Sequence, residues 1–348
     1  MPKIFLKNRE ISNNKPVFII AEAGVNYNNK LSLAFKMVDI AKKFGADAIK
    51  FQTFKADKIQ LKNSIKPNYQ KKIKDKNYFE IIKSLETNFN DQKKIFEYCN
   101  KKNLIFLSTP YDEESVDFLN SLGVSAFKIS SSDLTNHFLL KHILKKKKPV
   151  FLSTGLSDSI LVDDAIKLFK KENMMKNLIL LHTTSDYPVQ NDQVNLKVIS
   201  KYIKKYKILI GYSDHTQDNI ASLGAVSLGA CVLEKHFTLS KDMSGPDQSS
   251  SLEPKELQEW IKKIRIMESC LGNPRKIITS SESKNLTMRK VLVISPAKKG
   301  TMISSKILVA MRGKKSGILP LEKNIKKIIG KKLQKNIKTI KEFSWDMI

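Results

Sequence analysis

Short apolar runs that each stop in a polar cluster recur eight times along this chain: VFIIAE (17–22), DAIKFQ (47–52), LIFLST (104–109), AFKISS (126–131), PVFLS (149–153), LILLHT (178–183), KILIGYS (207–213) and ACVLEKH (230–236). Helical patterns such as LSLAFKMVDIAKKFGA, DEESVDFLNSLG, VDDAIKLFKKE and NIASLGAVSLGA fill most of the intervals. A strand buried on both faces is apolar nearly throughout, and parallel strands need long crossovers, so the alternation predicts parallel strands covered by helices. Eight such units predict an α/β fold, a closed (β/α)8 TIM barrel, whose usual length of ~250 residues is used up near residue 272 of the 348. We assign 1–272 to the barrel, the Ser/Thr/Asn/Lys-rich stretch 273–288 to a linker, and 289–348 to a small C-terminal domain with RKVLVISPA, KKGTMI, ILVAMRGKKSGILP and a basic helical tail. The polar excursion between the second and third runs, FKADKIQLKNSIKPNYQKKIKDKNYFEIIKSLETNFN, is expected to form a lid.

Composition narrows the class of function. The net charge of +28 invites a nucleic-acid reading. Only five of the 62 basic residues are arginines, however, whereas base reading and bidentate phosphate recognition favour arginine. The lysines read as solvated helix faces, and no specific nucleic-acid partner is expected. No stretch reaches the roughly 18 apolar residues of a membrane span, and the N-terminus has no apolar leader core, so a cytoplasmic protein with no membrane partner is expected. The three cysteines lack C-x-x-C spacing, which argues against a disulfide framework or zinc knuckle.

A barrel places its chemistry where its strands end, because the loops leaving those ends surround one pocket. Those ends are polar in all eight runs: Glu22; Lys50 and Gln52; Ser108 and Thr109; Lys128, Ser130 and Ser131; Ser153 and Thr154; His182; Ser213 and His215; Glu234 and His236. Two lysines among hydroxyls describe a site for a small ligand bearing phosphate and carboxylate. Taken singly, a strand-end lysine often only snorkels and a histidine is often only a satisfied structural residue. Their matched places on the last two strands make His215 and His236 a candidate metal pair, with Glu22 across the ring. With no Gly-rich nucleotide cradle, the pattern points to carbon–carbon bond formation. A Schiff-base route through Lys50 or Lys128 remains the alternative chemistry.

The segments FIIAEAGVN, GADAIKFQTF, FLSTPYDEESVDFL, FKISSSDLTN, LSTG, LLHTTSDYP, GYSDHT, SLGACVLEKHFT and GPDQSSSLEP resemble the sialic acid synthase family. The C-terminal KKGTMI, ILVAMRG and IIGKKLQKNI resemble its antifreeze-like (SAF) domain. This resemblance implies a metal-dependent condensation of phosphoenolpyruvate with an N-acetylmannosamine-type sugar, giving a nine-carbon 2-keto acid and phosphate. It implies N-acetylneuraminate as the product, with N,N'-diacetyllegionaminate and then pseudaminate as alternatives. Glu22 matches the catalytic glutamate, and His215 and His236 the ligands of Mn2+, with Mg2+ or Co2+ as substitutes. Lys50, Gln52, Thr109, Lys128, Ser131, Ser153 and Ser213 match the phosphoenolpyruvate pocket. Asp133, Tyr187 and Asp247 match sugar-holding positions, and Arg312 matches an arginine that reaches the sugar from the partner subunit of a homodimer, whose SAF domain covers the other barrel. Asn26-Tyr27-Asn28-Asn29 departs from the family's N-H-N-G, Thr183 stands where cysteine is frequent, and Gly313 replaces the proline that commonly follows the arginine.

Overall fold

A computed structural model describes residues 2–66 and 77–348. Residues 67–76, the centre of the expected lid, lie outside the described residues. The chain divides into two compact units, Met1–Gly272 and Asn273–Ile348.

The first unit is the eightfold barrel. A hairpin of β1 (Ile4–Leu6) and β2 (Arg9–Ile11) precedes β3 (Phe18–Gly24), β4 (Ala48–Thr53), β5 (Ile105–Pro110), β6 (Phe127–Ile129), β7 (Val150–Ser153), β8 (Leu178–His182), β9 (Leu209–Asp214) and β10 (Val232–His236). The last eight form one parallel sheet in the order β5-β4-β3-β10-β9-β8-β7-β6. The first and last barrel strands, β3 and β10, pair directly, which brings Glu22 opposite His236. Helices between the strands bury their apolar stripes on the outside of the sheet, as Met37, Val38 and Ala41 do from the helix Leu31–Phe44.

Inside the barrel, alternate residues of each strand change character along its length. Phe18 and Ile20 are followed by Glu22, Ala48 by Lys50, and Val232 by Glu234 and His236. The lower positions form a closed apolar cluster, which Ile4, Leu6 and Ile11 of the hairpin join. The sequence reading missed this hairpin, because two three-residue strands carry too little periodicity to register. The upper positions are polar and open into a chamber.

Gly211 lies on the inward side of β9, where a Cβ would stand 2.5 Å from Leu181 Cδ2 and 2.7 Å from the Val232 carbonyl oxygen. Backbone cannot yield as a side chain does, so Gly211→Ala overpacks the barrel and should cost about 1–3 kcal/mol. A fall in the denaturant midpoint checks this; an unchanged midpoint contradicts the packing described.

The second unit has its own sheet, in the order β12-β11-β13, built from β11 (Lys290–Ile294), β12 (Leu308–Arg312) and β13 (Lys341–Glu342). Its core includes Leu292, Ile294, Ile303, Leu333 and Phe343. The basic tail departs from the helix expected of it. Helix Glu322–Ile328 stops before Gly330, whose φ of 83° a helix cannot accommodate, and the chain then pairs Met302 with Lys332 and Ala297 with Ile337. In the stretch 273–288, Ser280–Ser283 forms one helical turn under a Thr279–Glu282 capping box. Among the described residues, no helix is long and apolar enough to cross a membrane.

Candidate active site

The chamber above the apolar floor holds about 770 Å3. Glu22, Lys50, Gln52, Thr109, Lys128, Ser131, Ser153, Ser213, His215 and His236 all line it, as do Asp133, Tyr187 and Asp247. Arg312 belongs to the second unit, at the exposed end of β12.

Each inward side chain is aimed by its strand. A bulge between Glu22 and Gly24 shifts the β3–β4 register, and Gly24 takes a φ of 52° there. A Cβ on Gly24 would lie 3.3 Å from Glu22 Oε1 and 3.4 Å from Gln52 Nε2, so glycine leaves both side chains room.

The two lysines do not stand free. Lys50 Nζ lies 2.7 Å from Glu22 Oε2 and 3.8 Å from Glu234 Oε2, and donates to Thr109 Oγ1 at 3.1 Å. Lys128 Nζ lies 3.3 Å from Glu234 Oε1, which also accepts from Ser213 Oγ at 2.9 Å. Glu234 is the member that sequence reasoning left without a role. Its signal was present in EKH, where it precedes His236 by two residues and so shares the inward face.

Burial governs the protonation of this cluster. It pushes the Glu22 carboxyl up to about 7, against the pull of Lys50. Burial alone would raise Glu234 as well, but Lys128 and Lys50 together hold it down at about 2. Burial works against the Lys50 ammonium, yet Glu22 and Glu234 outweigh it and raise its pKa; for Lys128 burial prevails and lowers it. A protonated Lys50 is a poor Schiff-base nucleophile.

The imidazoles meet, with ring centroids 5.5 Å apart and planes tilted by 57°. Burial lowers His215 to about 4 and takes His236 well below its usual value, so both are neutral near pH 7. His215 Nδ1 lies 2.8 Å from the Thr184 carbonyl oxygen, which can only accept. The proton therefore sits on Nδ1 and leaves the Nε2 lone pair for another partner. Thr183 Oγ1 stands 3.4 Å from the same Nδ1. His236 Nδ1 and Ser153 Oγ are buried with no hydrogen-bond partner among the described residues. Two neutral imidazoles with unclaimed lone pairs fit a divalent cation. Among the described residues no group of three or more His, Cys, Asp or Glu side chains is placed to hold a metal. Glu22, expected across the ring from the pair, is committed to Lys50 instead.

Tyr187 tilts over His215 with centroids 4.2 Å apart and presents its edge to His236 at 5.7 Å. Asp133 accepts from Ser130 Oγ at 2.8 Å and Asn136 Nδ2 at 3.0 Å, and burial raises its pKa nonetheless. Burial also lifts Asp247 to about 6, opposed by Lys50. Tyr78, Ile82 and Leu85, from the helix Tyr78–Leu85, add an apolar wall. That wall comes from the described part of the excursion, as does the helix's tie to the N-Y-N-N turn, where Asn29 Nδ2 donates to Ser84 O at 2.9 Å.

Holding so many ionisable groups out of water costs several kcal/mol apiece, and folds tolerate such clusters where bonds are made and broken. The barrel is an enzyme. It belongs to the NeuB family, whose model matches residues 37–276. The chain is 39% identical over 359 residues to the N,N'-diacetyllegionaminic acid synthase of Legionella pneumophila, covering 98% of this chain and 99% of that one. It is 43% identical over 303 residues to the N,N'-diacetyllegionaminic acid synthase of Campylobacter jejuni, covering 86% of this chain and 91% of that one. Among solved structures, the N-acetylneuraminic acid (sialic acid) synthetase of Leptospira borgpetersenii, in complex with citrate, has a TM-score of 0.71 at 33% identity, covering 82% of this chain and 95% of that one.

Proposed function

We propose that the protein is an N,N'-diacetyllegionaminate synthase, joining phosphoenolpyruvate to an N-acetylated mannose-type sugar that carries two acetamido groups. The observation that carries this reading is the identity of 39% and 43% to two synthases of that name, one of them along almost the whole chain. It takes precedence over N-acetylneuraminate, the first product implied by the motifs, and over pseudaminate.

Lys50 and Lys128 hold the phosphate and carboxylate of the donor, with Gln52, Thr109, Ser131, Ser153 and Ser213 supplying further hydrogen bonds. Asp133, Tyr187 and Asp247 orient the sugar. The methylene carbon of the donor attacks the aldehyde carbon of the open-chain sugar, and the aldehyde oxygen gains a proton. Water adds to the former enol carbon, and the carbon–oxygen bond to phosphate then breaks as the new hydroxyl gives its remaining proton to the departing phosphate, leaving a 2-keto acid. Glu22, ionised, accepts the proton of that water. His215 and His236 would hold Mn2+, or Mg2+ or Co2+ in its place, and such an ion supplies Lewis acidity toward a carbonyl oxygen.

We assign the second unit to the SAF class and the assembly to a homodimer in which Arg312 completes the partner's sugar pocket. In support, Phe138, Leu156, Ile160 and Ile220 are each more than 70% exposed. All four follow β6, β7 or β9 and so stand on the rim that carries the chamber. Deleting the residues after 285 should cost both dimer and activity; a fully active monomeric barrel contradicts the shared pocket.

Phosphate release measured with phosphoenolpyruvate, Mn2+ and each acceptor sugar tests the substrate. The diacetamido sugar should give the highest kcat/KM, by a wide margin if polar groups in the pocket pair with its second acetamide. A preference for N-acetylmannosamine restores the neuraminate reading. Borohydride with both substrates present should trap no covalent adduct, and an adduct on Lys128 supports the Schiff-base route.

A further inference from the structure

Behind the two histidines lies a charged pair that takes no part in the chamber. Asp214 and Lys235 face each other across the β9–β10 ladder, and each precedes one of the histidines. Side chains alternate along a strand, so this pair points into the layer between barrel and helices while its neighbours point inward. Asp214 is 1% and Lys235 2% exposed, and Nζ lies 2.9 Å from Asp214 Oδ2.

Every polar atom of the pair is used. Lys235 Nζ also donates to the carbonyls of Thr216, at 2.6 Å, and Asp218, at 3.1 Å. Asp214 accepts from Thr216 N at 2.8 Å, Thr216 Oγ1 at 2.7 Å and Ser222 Oγ at 2.5 Å. Trp260 Nε1 in turn donates to Ser222 Oγ at 2.8 Å. Thr216 and Asp218 belong to the turn that leaves His215. A lysine on β10 therefore holds the backbone just beyond the β9 histidine, one residue before β10 presents its own.

A buried ion pair is a poor source of stability, since packed apolar residues of similar volume do as well or better. A fully satisfied polar network does select one arrangement over its neighbours. We propose that Asp214 and Lys235 are positioning residues that set the separation and tilt of His215 and His236, and thereby the affinity of that pair for a divalent cation. The affinity part rests on the metal reading above.

The test uses the full chain as Asp214→Leu/Lys235→Met, which removes both charges but keeps apolar volume, and as Asp214→Asn, which keeps shape and serves if the first does not fold. Mn2+ affinity is read from the electron paramagnetic resonance signal of the free ion, alongside thermal unfolding of metal-free protein. Binding at least about tenfold weaker than the parent's is expected, in line with losses seen when the supports of metal ligands are removed. Unchanged Mn2+ affinity overturns the proposal, whatever happens to the unfolding temperature. If the parent itself binds no Mn2+, the metal reading fails by itself. The positioning claim is then decided by crystal structures of the variants, upheld by displaced rings and overturned by rings still 5.5 Å apart.

Discussion

Glu22→Gln should release phosphate at about a thousandth of the parental rate, within the 10²–10⁴-fold span that a positioned acid or base contributes. The amide keeps the shape of the side chain but cannot take a proton, so binding of phosphoenolpyruvate should change far less than kcat. The parent's pH profile gives a second check. Glu22 titrates near 7, so its ionised form, and with it the rate, should rise as pH passes through 7, and this limb should be missing in the variant. Stability runs the other way. A carboxyl raised from 4.5 to about 7 contributes stability that is complete below 4.5 and is lost as pH rises through 7, because the unfolded glutamate ionises first. The most active form is thus not the most stable one. A Glu22→Gln enzyme of near-parental rate would remove Glu22 from the chemistry.

His236→Ala should abolish Mn2+ binding and lower kcat/KM by about 10³-fold or more, the equivalent of the several kcal/mol that a Lewis acid contributes. Its Nδ1 is buried and makes no hydrogen bond among the described residues, so no such bond is lost when the ring is removed. Thermal unfolding of the metal-free variant should therefore stay close to that of the parent. Chelation should inactivate the parent, and added Mn2+ should restore it. Parental activity in His236→Ala, or in chelated parent, defeats the metal reading.

The barrel was legible because its signal is repeated. Each apolar run ends on a polar residue, and eight repetitions outweigh the ambiguity of any one. Most of the side chains that share the chamber were legible for the same reason, since strand ends converge in a barrel; Ser108, Thr154 and His182, expected in the same ring, fall on the outward phase of their strands and bond to Thr53, Leu181 and Val194 instead. The partners within the chamber were not legible. That Lys50 faces Glu22 and Glu234 rather than open space depends on register across β3, β4 and β10, which spacing along one chain does not encode. The tail after Ile328 misled because KNIKKIIGKKLQKNIK has helical composition, and only the φ of Gly330 shows where the helix must end. Asp214 and Lys235 escaped notice because they face away from the chamber, where a charge gives no sign in sequence of being buried.

Glu22 and Glu234 act as resident counter-ions for Lys50 and Lys128. In the proposed reaction an arriving phosphate or carboxylate has to displace them, which makes the grip on the anion a net exchange, weaker than two bare ammonium groups would give. On the same proposal the exchange would run backward when phosphate leaves, the glutamates reclaiming their lysines. A cluster built this way would clear itself, trading tight capture for quick reset between turnovers.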